Sequence, residues 1–124
     1  MRIRWSDRIA VALVAAFIAT PVLLLCNVGL AAAAATKPAS HTVVIEGTRF
    51  DPATLDIRAG DTIVWVNKDP FPHTATSKMG GFDSHEIAAG ASWKYTAKRK
   101  GVFPYVCTFH PTMKATLKVS AGDP

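Results

Sequence analysis

The sequence predicts an all-β domain, an antiparallel sandwich or barrel, and two observations carry that prediction. Apolar and polar residues alternate with a period of two in short segments rich in β-branched and aromatic residues. Turn residues such as Asp51-Pro52, Gly60-Asp61 and Gly80-Gly81 separate these segments. Many short strands without helical crossovers are typical of a sandwich or a barrel.

Six segments show the alternation over four or more residues, and two shorter ones lie between them. In the segment 62–67, the alternation places Ile63, Trp65 and Asn67 on one face. We expect Trp65 and Trp93 in the core. The six predicted strands are 41–46, 54–57, 62–67, 91–97, 102–107 and 116–120, and the two short ones are 74–76 and 84–87.

The first 35 residues have the order of a secretory signal: a basic start, an apolar run over 9–30 and a stretch of alanines over 31–35. An A-x-A pattern predicts cleavage after Ala35. The apolar run is also long enough to span a bilayer, so an uncleaved anchor with its basic end in the cytoplasm is the alternative. Lipid attachment at Cys26 is disfavoured because Leu25 precedes it, where a small residue is expected.

Cleavage leaves about 89 of the 124 residues, which is enough for one small domain. We therefore predict a signal peptide over 1–35, a linker over 36–40, a domain over 41–120 and a tail over 121–124, with export to the periplasm. The full chain carries a net charge of +5, part of it in the signal. The remaining net charge is too small to indicate nucleic-acid binding, so we expect no nucleic-acid partner.

Cys107 is the only cysteine that remains after cleavage. An intramolecular disulfide is therefore impossible. An exported protein passes into an oxidising compartment, where an unpaired thiol is at risk unless it is buried or bound to a metal.

Cys107, His110 and Met113 follow one another at a spacing of three residues, directly between two predicted strands. Taken singly, each has an ordinary explanation: a buried cysteine, a surface histidine and a core methionine. Taken together, a thiolate, an imidazole and a thioether in one tight loop predict a metal site. One Cys, two His and a weak axial Met are the ligands of blue copper centres.

The second histidine must come from elsewhere in the chain. His73 is the best candidate, because it lies in a loop stiffened by Pro70 and Pro72 just before a short predicted strand. His85 is the reserve. The sequence thus predicts one copper ion, cycling between Cu(I) and Cu(II), with the ligands His73, Cys107, His110 and Met113.

The loop Cys107-Thr-Phe-His110-Pro-Thr-Met113 resembles the ligand loop of the cupredoxin family, blue copper proteins that include amicyanin and plastocyanin. The two-residue spacers on both sides of the histidine are similar to those of amicyanin. Further similar segments are Phe50-Asp-Pro, 59–69, Pro72-His73, 82–84 and 101–107, so the resemblance covers about 41–120.

This resemblance implies a Greek-key β-sandwich of about eight strands, with copper near one end and both histidines bound through Nδ1. It also implies that His110 presents its ring edge as the electron port, and that redox partner proteins dock on a surrounding apolar collar, which Met79 extends. We expect a monomer that contacts a membrane only if the N-terminal segment is uncleaved. The collar consists of Phe71, Pro72, Phe109 and Pro111.

Two residues depart from the family pattern. Relatives usually carry Asn after the first histidine, where this chain has Thr74, and amicyanin has Pro where this chain has Phe109. We expect the Thr74 hydroxyl to bond towards Thr108 and so keep the two ligand loops together. Phe109 is expected to change the shape of the collar.

The resulting prediction is an exported one-electron carrier that is not an enzyme, and the alternative is a copper-binding and delivery protein. Multicopper oxidation requires further histidine pairs, and a dinuclear copper centre requires two cysteines in one loop. A zinc site with the same ligands is physically possible, but a thioether is a poor ligand for zinc.

Overall fold

Seven β-strands form the two sheets of a Greek-key sandwich. The computed structural model describes residues 34–79 and 81–122, so the predicted signal and anchor lie almost wholly outside the described residues. Within the described ranges there is no helix, and hence none that could cross a membrane. The strands are β1 (Ser40–Glu46), β2 (Arg49–Asp51), β3 (Thr54–Arg58), β4 (Thr62–Asn67), β5 (Ser92–Thr96), β6 (Gly101–Val106) and β7 (Lys114–Ser120).

The strand order is β2-β1-β4-β5 in one sheet and β3-β7-β6 in the other. Two of the pairs, β1 with β4 and β3 with β7, are parallel, and the other three are antiparallel. The sandwich is confirmed, and the antiparallel pairing expected from the strand pattern holds for three of the five pairs. The chain leaves the first sheet after β2, adds β3 to the second sheet, and returns as β4 beside β1 in the same direction.

Six of the predicted strands form, with bounds that differ by at most two residues. The three-residue strand β2 was missed because it is too short to show a period. The two short strands predicted at 74–76 and 84–87 were wrong, since these segments make only isolated bridges. The bridges join His73 to Ile87, Thr76 to Asp83 and Thr76 to Val106.

The core follows the alternation predicted for β4. Trp65 is fully buried, and its ring lies 5.3 Å from Trp93, 5.2 Å from Phe82 and 5.7 Å from Tyr105 between centroids. Its indole N–H also donates to the hydroxyl of Tyr105 at 3.3 Å. Trp93 lies at the margin of the core, partly buried against Trp65.

The two ends of the sandwich carry different loops. At one end, the loops over 68–79 and 107–113 follow β4 and β6, and Thr76 pairs with Val106 there. We call this the His73 end. At the other end, which we call the Asp61 end, the backbone N–H groups of Ala59 and Gly60 donate to Ser120 and Ala97. The linker over 36–39 joins the sandwich at the Asp61 end.

Candidate metal centre

Asn67, the last residue of β4, shapes the loop that carries His73. Its side chain is fully buried, and its amide group donates to the carbonyl oxygens of Phe71 at 2.9 Å, Ile87 at 3.0 Å and Ala88 at 3.2 Å. Its carbonyl oxygen accepts a bond from the backbone N–H of Asp69 at 3.0 Å. The buried side-chain amide of Asn67 thus fixes the backbone of its own loop and joins that loop to the segment around Ile87.

His73 is held from two directions. Its backbone exchanges hydrogen bonds with Ile87 at 3.1 and 2.8 Å. Its fully buried ring donates from Nε2 to the carboxylate of Asp69 at 2.8 Å. The bond to Asp69 fixes the ring orientation and leaves Nδ1 as the available metal-binding atom.

Asp69 is itself fixed by the β1–β2 turn. Its two carboxylate oxygens accept the backbone N–H groups of Gly47 at 2.7 Å and Thr48 at 3.0 Å. Burial alone would raise the pKa of Asp69, but the hydrogen bonds from Thr48, Gly47 and His73 hold that pKa below its usual value. The group beside His73 is therefore an ionised carboxylate at neutral pH.

The loop after β6 closes on itself. The backbone N–H of Cys107 donates to the carbonyl of Met113 at 3.1 Å, and that of Met113 donates to His110 at 2.8 Å. A third bond runs from the His110 N–H to the Cys107 carbonyl at 3.3 Å. Cys107 and Met113 are buried, whereas His110 is partly exposed. These bonds therefore hold the backbones of the three residues together in one tight loop.

Thr74 joins the two loops. Its backbone N–H donates to the Cys107 sulfur at 3.3 Å, and its hydroxyl oxygen accepts the backbone N–H of Thr108 at 2.9 Å. The two threonine hydroxyls also lie 3.1 Å apart. The expectation that Thr74 bonds towards Thr108 is confirmed.

The donor atoms of His73, Cys107 and His110 converge. The Nδ1 atoms of both histidines lie 3.7 Å from the Cys107 sulfur, and the three donor atoms all lie within 4.8 Å of one another. With metal–nitrogen and metal–sulfur bonds of about 2.1 and 2.3 Å, an angle of 120° separates nitrogen from sulfur by about 3.8 Å. The observed distances therefore fit one ion in a trigonal arrangement.

The other two described histidines are remote from this group. The side chain of His85 is 87% exposed and lies beside Asp83. His41 bonds to Asp61 at the opposite end of the sandwich. Within the described ranges, the group formed by His73, Cys107 and His110 is the one that could hold a metal ion.

Phe71 lies beside the partly exposed ring of His110, and Phe109 precedes His110 in the chain. Phe71 is 40% exposed and its ring centroid lies 5.8 Å from that of His110, while Phe109 is 50% exposed. Pro72 and Pro111 are exposed as well. These are the four residues of the predicted collar.

Asn67 and Asp69 are the two site residues that the sequence reasoning missed. Asn67 was assigned to a strand face, and neither side chain was given a role. A carboxylate four residues before a ligand candidate in the same loop was the available signal, since metal-binding histidines commonly bond to a carboxylate.

Comparison with known proteins supports a single family. The cupredoxin-like domain family matches residues 10–119 of the chain. The chain is 32% identical over 93 residues to amicyanin of Paracoccus versutus, which covers 70% of each chain. It is also 32% identical over 88 residues to plastocyanin of Scenedesmus fuscus, which covers 56% of this chain and 85% of the plastocyanin.

The fold agrees with solved structures. A Cu(I) structure of an amicyanin mutant superimposes with a TM-score of 0.62 at 22% identity, over 65% of this chain and 82% of the other. The relatives are amicyanins and plastocyanins, and the convergent His-Cys-His group supplies the donors that a blue copper ion takes. Copper is thus the cofactor, and the chain belongs to the cupredoxin-like domain family, together with the amicyanins and plastocyanins.

Proposed function

We propose that this chain is an exported carrier of single electrons that holds one copper ion between His73, Cys107, His110 and Met113. The single observation that supports it best is the distance of 3.7 Å from the Cys107 sulfur to Nδ1 of each histidine. When bound, copper supplies the chemistry by cycling between Cu(I) and Cu(II).

The protein contributes rigidity. Asp69 fixes the ring of His73, and Thr74 donates to the sulfur of Cys107. These bonds are made within the protein and do not depend on the oxidation state of an ion. A donor set that stays in place lowers the cost of rearrangement in each electron transfer, and such preorganisation favours fast transfer.

Met113 is proposed as the weak axial ligand. It is only 3% exposed, and its backbone bonds to both Cys107 and His110. A thioether at a buried position beside the thiolate and imidazole suits copper better than zinc, which prefers nitrogen, thiolate and carboxylate ligands.

Burial of the thiolate favours an electron carrier over a copper-delivery protein. Delivery requires ligands that an acceptor can reach, whereas Cys107 and His73 are fully buried. His110 is the exception, because its ring is partly exposed within the apolar collar. An electron can pass through this ring edge without release of the ion. The proposal includes no catalysed transformation of a substrate.

We further propose that redox partner proteins dock on the collar of Phe71, Pro72, Phe109 and Pro111, with the chain itself a monomer. A small apolar contact suits short-lived electron-transfer complexes, which bury little surface. Export to the periplasm rests on the signal-like pattern of the first 35 residues, and an uncleaved anchor would hold the same domain at the membrane.

Copper binding is tested by titrating the protein with Cu(II) and recording the visible spectrum and the reduction potential. We expect an intense thiolate-to-copper band that Cys107→Ser abolishes, because serine offers no thiolate. Met113→Leu should retain the band and shift the potential, since the axial ligand tunes the site. His73→Ala should lose the normal band.

His85→Ala is the matched control and should behave as the unaltered protein. A normal band in His73→Ala together with a lost band in His85→Ala would show that the ligand assignment is wrong. Slow electron self-exchange combined with ready transfer of copper to a chelator would favour the delivery protein instead.

The role of Asp69 is tested with Asp69→Asn. Removing the negative charge beside His73 should weaken Cu(II) binding by about 10- to 100-fold, as expected for a partner of a metal-binding histidine. Cu(II) loses more stabilisation than Cu(I), so the potential should rise. Each tenfold loss of preference for Cu(II) corresponds to about 59 mV.

Glu86→Gln is the control, because it removes the same charge from an exposed residue close to Ile87. Its potential should stay near that of the unaltered protein, since solvent screens exposed charges. Equal shifts in the two variants would contradict a specific role for the Asp69–His73 bond.

The collar is tested by electron self-exchange, measured from NMR line broadening in mixtures of oxidised and reduced protein. Phe109→Asp places a charge at the proposed contact, and we expect the rate to fall by about tenfold or more because like charges oppose close approach. Self-exchange has no driving force, so a change in potential does not affect the comparison.

Val102→Asp serves as the control. Val102 is 59% exposed at the Asp61 end, and the variant adds the same charge away from the collar. If both variants slow self-exchange to the same extent, net charge rather than the collar governs the rate.

A further inference from the structure

The net positive charge of the described domain is concentrated at the Asp61 end. Residues 34–79 and 81–122 contain eleven Lys and Arg against seven Asp and Glu. Four basic residues line one groove of about 910 Å³ at that end, and two more lie in the adjoining β5–β6 turn. Two acidic residues line the same groove. The rest of the described domain contains five basic and five acidic residues, so its net charge is zero.

We call this set of residues the basic end surface. Its members come from the linker, β3, the β3–β4 turn, the β5–β6 turn and β7, and the register brings these together by pairing β3 with β7 and β7 with β6. The basic members are Lys37, Arg58, Lys98, Arg99, Lys100 and Lys118, and the acidic members are Asp56 and Asp61.

The two acidic members leave this surface with a net positive charge. Asp61 is 7% exposed and serves the fold: its carboxylate accepts the backbone N–H groups of Ala39 at 2.8 Å and Arg58 at 3.0 Å. Those bonds, together with His41, lower the pKa of Asp61 to about 2 even though its burial acts to raise it. The carboxylate of Asp61 is thus hydrogen-bonded within the fold, and Asp56 is the exposed acidic residue of the surface.

The polypeptide enters the domain within the basic end surface. The Ala39 carbonyl accepts the backbone N–H of Thr62, and the Arg58 guanidinium donates to the Thr36 hydroxyl at 2.7 Å. These bonds hold the linker against the last residue of β3 and the first residue of β4. Any residues that stay attached upstream of Thr36 therefore join the domain beside its basic side chains.

We propose that the basic end surface binds the anionic headgroups of a phospholipid membrane. Each Lys or Arg near an anionic bilayer favours binding by about fivefold, so a cluster of basic residues supports reversible attachment at low ionic strength. The entry of the linker at this end agrees with that orientation. The collar lies at the opposite end and stays accessible to a partner.

The proposal is tested by co-sedimentation with vesicles of phosphatidylcholine alone and of phosphatidylcholine mixed with phosphatidylglycerol. The protein used is metal-free residues 36–124, so failure of the copper proposal does not affect the result. All seven strands and the whole hydrophobic core lie within that segment, and circular dichroism checks that each variant is folded. We expect binding to the mixed vesicles only, and loss of binding as salt is added.

Two triple variants of equal charge locate the surface. Lys98→Gln, Lys100→Gln and Lys118→Gln together should weaken binding by about 100-fold. The matched set alters three exposed lysines outside the surface and should change binding by less than about threefold. That control set is Lys68→Gln, Lys78→Gln and Lys114→Gln.

Failure to bind the anionic vesicles would overturn the proposal, and binding to an acidic protein in its place would identify a different partner. Equal weakening in the two triple variants would also overturn it, because net charge alone would then explain the attraction.

Discussion

Thr74 and Thr76 join two loops that belong to different sheets, and the metal centre depends on that junction. Thr76 exchanges backbone hydrogen bonds with Val106 at 3.0 Å, while Thr74 bonds to both Cys107 and Thr108. These bonds, together with the ring contacts of His110 with Phe71 and His73, connect the loop after β4 to the loop after β6. With them, a histidine and a cysteine that are 34 residues apart stay within 3.7 Å.

Support for the junction extends outwards through buried polar groups. Asn67 binds the carbonyl groups of its own loop and of the segment around Ile87, and Asp69 connects the ring of His73 to the β1–β2 turn. No buried side-chain nitrogen or oxygen among the described residues lacks a hydrogen-bond partner. Fully paired polar networks are rigid, since each broken bond would leave a buried group unsatisfied.

Much of this architecture could be predicted from local patterns. The alternation in β4 identified Ile63, Trp65 and Asn67 as one buried face, and the spacing of Cys107, His110 and Met113 identified a ligand loop. Such features depend on neighbours in sequence. The parallel pairing of β1 with β4 does not, because it depends on which sheet the chain joins after β2. The same limit explains why the bond of Asp69 to His73 was missed. The bond forms in a loop, where no repeating pattern of apolar residues indicates which side chains come together.

The two ends of the sandwich differ in chemistry, and that difference is consistent with a carrier that is oriented while it exchanges electrons. The His73 end combines a partly exposed imidazole with an apolar collar, whereas the Asp61 end carries the excess of positive charge. The two surfaces are separated by the full length of β4 and β6. Binding at one end therefore leaves the other free.

The central claim is that the hydrogen bonds of the protein hold the metal ligands in place before the metal arrives. Crystal structures of the metal-free and copper-loaded protein test it most directly. We predict copper between His73, Cys107 and His110, with the rotamers of His73 and Cys107 and their bonds to Asp69 and Thr74 unchanged by loading. Copper at another position, or different rotamers of these two ligands in the metal-free protein, would contradict it.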